Sequence, residues 1–97
     1  MIIEGVDPRD IQWEVDHPVY RVYFWHQPSA PPGEALAQMM WQCAEYRLSE
    51  ATDVDEVLDW ARNTARPDQT FVLYAEQRDA QRSGLVRLLG VDPNNAA

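Results

Sequence analysis

Trp41-Gln42-Cys43-Ala44-Glu45-Tyr46-Arg47-Leu48 is the stretch on which the fold turns, because it fits two periods. As the end of one helix from Glu34 to Arg47 it lines up Leu36, Met39, Met40, Cys43 and Tyr46 on one side. As a strand it puts Ala44, Tyr46 and Leu48 on one face and Glu45 and Arg47 on the other. We adopt the alternating reading: a short helical turn over 34–40, then a strand. That choice predicts an antiparallel sheet where the other predicts a largely helical middle.

Downstream, Thr52 to Ala65 carries agreeing helix signals. Thr52 reads as the N-cap, with Asp55 three residues on to complete a capping box. Val54, Val57, Leu58, Ala61 and Ala65 recur at helical spacing, while Asp55, Glu56, Asp59, Arg62 and Asn63 fall on the other side. Pro67 disfavours helical geometry at Arg66, so the helix should stop near Ala65. Thr70 to Glu76 then reads as a strand and 77–84 as a turn. The apolar run Leu85 to Val91 reads as a strand paired antiparallel to 70–76.

Upstream, Val19-Tyr20-Arg21-Val22-Tyr23-Phe24-Trp25 is the richest β segment, apolar on both faces except for Arg21. Before it, Ile11, Trp13 and Val15 alternate with Gln12, Glu14 and Asp16, which predicts a first strand, and Asp16-His17-Pro18 predicts a hairpin turn or bulge between the two. Three prolines mark Gln27 to Gly33 as a loop. The whole predicts one α+β domain over 1–97 in the order β-β-β-α-β-β. Four or five antiparallel strands form its sheet, helix 53–65 lies on one face, and residues 93–97 fray.

The 97 residues carry a formal net charge of −8, which argues against nucleic acid as a partner, since such binding draws its affinity from basic side chains on phosphates. All eight basic residues are arginine, so Schiff-base chemistry and the P-loop lysine are excluded. The same usage, with abundant Ala, Asp and Val, fits a GC-rich bacterial genome. No apolar run approaches the ~20 residues of a membrane span, and Met1 to Gly5 lacks the pattern of a signal peptide, so the expected location is cytoplasmic with no membrane partner. Cys43 is the single cysteine; with only His17 and His26 beside it, neither an internal disulfide nor a zinc site is expected, and no cofactor is implied.

Four groups of residues are candidates for a site. Glu50, Asp53, Asp55, Glu56 and Asp59 form an acidic patch, which helix N-terminal acidity also explains. Cys43 with His26 offers a nucleophile and its base, which need not be near each other in sequence, although nothing supplies a third group or an oxyanion hole. Tyr23, Trp25, Trp41 and Trp60 can form an aromatic face. Arg21 and Arg87, in otherwise apolar strands, can hold an anion between rings or pair with Glu14 or Glu45 across the sheet.

No catalytic motif emerges. The expected function is therefore a small acidic protein-interaction module of the accessory, regulatory or immunity kind. A small-ligand or enzymatic domain using the aromatic and arginine positions is the alternative. Because one helix covers one sheet face, the other face should be apolar and self-associate, giving a homodimer anchored by Tyr23 and Trp25.

Overall fold

Large apolar side chains on both faces of residues 20–26 require cover on both sides and neighbours on both edges, and both edges are filled. In the computed structural model, which describes residues 1–11, 13–27, 41–78 and 81–93, β1 (Tyr20–His26) lies between β2 (Gln42–Leu48) and β3 (Thr70–Arg78). β4 (Ser83–Leu89) completes the sheet, in the order β2-β1-β3-β4. All three pairings are antiparallel. The single described α-helix, α1 (Val54–Thr64), joins β2 to β3 and so carries the chain past β1.

The chain is thus α+β with a four-stranded antiparallel sheet, in the order β-β-α-β-β rather than β-β-β-α-β-β. The strand expected over 11–15 is the one that drops out. Both hydrogen-bonding edges of β1 are taken, by β2 and β3, so a hairpin from 11–15 into β1 has no edge to occupy. What precedes β1 is an exposed segment with a short 3-10 turn at Pro8–Asp10, its Asp7 side chain accepting from the Arg9 amide at 3.0 Å. The stretch 41–48 is β-strand from Gln42 onward, which overturns the continuous helix to Arg47; the helical turn expected over 34–40 and most of the 27–33 loop lie outside the described residues. The fraying expected over 93–97 also falls outside them, except for Pro93.

Strand parity sorts the side chains. Tyr20, Val22 and Phe24 of β1 oppose Leu48, Tyr46 and Ala44 of β2 and Ala75, Leu73 and Phe71 of β3, all on the face that carries the helix. Val57 and Ala61 of α1 are buried there with Ala51, and Leu58, Trp60 and Ala65 pack around them. Trp60 meets Phe24 and Tyr46 edge-on, each at a centroid distance of 5.6 Å. Val54, expected in the apolar row, is 37% exposed because it stands in the first turn, beyond the packed stretch.

The helix cap is displaced by one residue from Thr52. Asp53 is the N-cap, its carboxylate accepting from the Glu56 amide at 3.0 Å, and Glu56 reaches back to accept from the Thr52 amide at 2.9 Å. The reciprocal pair is therefore Asp53 with Glu56, not Thr52 with Asp55, since the Glu side chain is long enough to return to the chain before the cap. We expect Asp53→Ala to lower stability by about 1 kcal/mol; denaturant unfolding checks this, with Asp55→Ala as an uncapping-neutral control.

Candidate functional site

The sheet face away from the helix carries Arg21, Tyr23 and Trp25 of β1, Cys43, Glu45 and Arg47 of β2, Val72, Tyr74 and Glu76 of β3, and Leu85 and Arg87 of β4. Register sets Arg47, Arg21, Tyr74 and Arg87 in one row across all four strands. Two guanidiniums directly opposite, Arg47 on Arg21, repel unless an anion lies between them.

Glu76 supplies that anion from the diagonal position on β3. Its Oε1 accepts from Arg21 Nε at 2.8 Å and lies 3.0 Å from Arg47 Nε, while Oε2 accepts from Arg47 Nη2 at 3.0 Å and lies 3.4 Å from Arg78 Nε. The Glu76 side chain is only 6% exposed, and Arg21 also donates to Tyr23 Oη at 3.4 Å. Tyr23 and Tyr74 lie side by side with centroids 5.0 Å apart. The Arg21 hydrogen bond, reinforced by Arg47 and Arg78, holds the Glu76 carboxyl below its ordinary 4.5.

A carboxyl whose folded pKa is depressed adds stability above the unfolded value and loses it as pH falls through the folded one. Acid should therefore weaken the fold from just above pH 4.5 downward. We expect Glu76→Gln to flatten that part of the pH–stability curve while lowering stability at neutral pH. A curve unchanged in shape, followed by thermal melts from pH 7 to 3, would count against the assignment.

Beside the cluster are two open depressions. One, of about 170 Å³, is lined by Arg21, Glu76, Arg78, Ser83, Gly84 and Leu85. The other, of about 310 Å³, lies between residues 13–19, including Trp13, Val15 and His17, and the Arg47, Glu76 and Arg78 side chains.

The sequence-predicted residues divide between the two faces. Arg21 and Tyr23 are in contact, and Arg87 shares their row but donates to the Gly90 carbonyl at 2.8 Å. The carboxylate that Arg21 meets is Glu76, rather than Glu14 or Glu45. Trp25 is 8% exposed, so it offers a partner little surface; its Nε1–H finds no acceptor among the described residues. Trp41 stands half-buried just before β2, and Trp60 belongs to the core on the opposite face, so the four aromatics do not form one surface.

Cys43 and His26 occupy positions of opposite parity in paired strands and so project to opposite faces. Burial, with Glu45 and Asp92 nearby, pushes the Cys43 thiol up to about 11, which keeps it un-ionised at neutral pH. Glu50, Asp53, Asp55, Glu56 and Asp59 are all exposed, with Asp53 and Glu56 committed to the cap. No group of three or more metal-ligating side chains is assembled among the described residues.

Glu76, Arg47 and Arg78 are the site residues that sequence reasoning misses. Their signal emerges only with the pairing: two arginines opposed in register require an acid within reach, and Glu76 is the acid of matching parity in the neighbouring strand.

No protein-family model, curated protein or solved structure matches the chain. The fold and site define it as an α+β domain with an arginine–glutamate cluster on the sheet face away from the helix. No described helix is long and apolar enough to cross a membrane.

Proposed function

We propose that this chain is a non-catalytic protein-interaction module, accessory, regulatory or immunity-like in kind, which associates through the β4 side of its sheet. One observation supports the reading above the rest. β4 is an edge strand exposed along its whole length, and it presents Leu85, Val86, Leu88 and Leu89 at 41%, 46%, 48% and 39% exposure. Unpaired backbone groups beside apolar side chains are what an added strand needs, with main-chain hydrogen bonds giving affinity and the side chains selectivity. The far face carries the charged cluster around Glu76 and a Trp25 only 8% exposed, which favours β4 over Tyr23 and Trp25 in this reading.

Peptides selected from a random displayed library against the full chain should lose binding to Val86→Lys. A library that yields none overturns the reading.

The second reading, a site for a small anion, rests on the three guanidiniums that converge on one carboxylate beside the 170 Å³ depression. A thermal-shift screen decides it: stabilisation by one class of carboxylate or phosphate metabolite, lost in Arg78→Ala with the fold intact, would replace the interaction reading.

A further inference from the structure

The segment before β1 carries a strand pattern that the sheet of its own chain does not use. Ile11, Trp13 and Val15 are 68%, 65% and 57% exposed, and the described part of 11–15 is in no strand. Among the described residues, β4 is an edge strand with no neighbour on its outer side and with its apolar side chains exposed. Resting on the interaction reading above, we propose that the partner is a second copy of this chain, which donates residues 11–15 as a fifth strand along the free edge of β4.

Four observations favour this pairing. Length agrees: β4 runs unbroken from Ser83 to Arg87 before its register shifts, five residues that match the five of 11–15.

Facing agrees as well. With Ile11, Trp13 and Val15 set on the side of Val86, their apolar row extends the helix face beyond the reach of α1, and Glu14 falls on the side of Arg87.

Charge is complementary within an acidic protein. Residues 1–17 hold five acids (Glu4, Asp7, Asp10, Glu14 and Asp16) against one arginine, whereas 78–87 hold Arg78, Arg82 and Arg87 against one acid. The other edge strand, β2, is a poorer acceptor, since it carries Gln42, Glu45 and Arg47 and has Tyr46 as its one exposed large apolar residue.

Reach decides between the chain's own edge and a partner's. The Val19 carbonyl accepts from the Glu76 amide at 2.8 Å, which fixes Val19 in line with β1. From there the slot outside β4 is three strand spacings away, about 14 Å. Val15 to Val19 spans about 13–14 Å fully extended, with no slack for the chain to turn back along β4. A second copy has no such tether.

Light scattering after size exclusion on the full chain, from micromolar to several hundred micromolar, tests the proposal. The expected mass rises towards twice 11.2 kDa, and both Trp13→Asp and Val86→Lys remain near 11.2 kDa with unchanged circular dichroism. Mixing these two variants should restore a complex, because one carries an intact edge and the other an intact donor strand. Gly84→Lys, on the same side of β4 as Val86 and with nothing within 4 Å of an added Cβ, replaces Val86→Lys if the latter fails to fold.

A monomeric wild type overturns the proposal. So does a dimer that survives Trp13→Asp, or a mixture that stays monomeric. A monomeric wild type whose selected peptides still discriminate against Val86→Lys removes only strand donation. A chain that neither associates nor selects peptides removes the interaction reading too.

Discussion

Leu73→Ala is expected to lower stability by about 2–5 kcal/mol, as loss of a fully enclosed leucine does when its surroundings relax only in part. Leu73 is 1% exposed, opposes Val22 on β1 and Leu89 on β4, and packs under α1. It therefore joins three strands and the helix, and no single neighbour can move in to fill the space. Guanidinium unfolding checks the loss, with Leu85→Ala as the comparison. Leu85 is 41% exposed and should change stability by no more than about 0.5 kcal/mol. Equal losses in the two variants would mean that the helix face is not the core.

Gly90→Ala is expected to cost roughly 2–4 kcal/mol, although it adds one methyl group. Gly90 has φ +93°, a left-handed conformation that side chains disfavour, and a Cβ there would lie 2.5 Å from the Phe71 carbonyl oxygen and 3.1 Å from Val72 Cα. Both are backbone atoms of β3, so relief requires a strand to shift. The Gly90 carbonyl also accepts from Arg87 Nη1 at 2.8 Å, so displacement there disturbs the end of β4. Gly84→Ala is the control, since nothing lies within 4 Å of its added Cβ. Comparable effects at both glycines, measured by the same unfolding method, would refute the close approach at Gly90.

The elements legible in the sequence were those where local pattern and tertiary demand coincide. The two-sided apolar run at 19–25 is β1, the helical spacing from Val54 to Ala65 is α1, and the segment 70–76 is β3, each within a residue or two at its ends. The alternation of 41–48 decided correctly for a strand because Glu45 and Arg47 share one face and Tyr46 and Leu48 the other. The same pattern at 11–15 misled, since alternation records compatibility with a sheet edge, not whether an edge is vacant. The apolar run 85–91 starts two residues later than β4 itself, because Ser83 and Gly84 look like turn yet pair with Arg78 and Gln77. The site was less legible than the fold. Arg21 stood out as a charge in an apolar strand, but its partner Glu76 lies 55 residues away, and nothing local connects them.

Register across β3 and β4 slips once: Leu73 faces Leu89 and Tyr74 faces Arg87, leaving Leu88 opposite no residue. A seven-residue edge strand with Leu85, Val86, Leu88 and Leu89 and no proline has the composition that seeds cross-β stacking. A bulge bends and twists the strand that carries it, so copies cannot stack flat along the full length of this one. Arg87 adds a charge just before the slip, which opposes identical copies in register. The edge can therefore accept one short strand yet resists growing into a fibril.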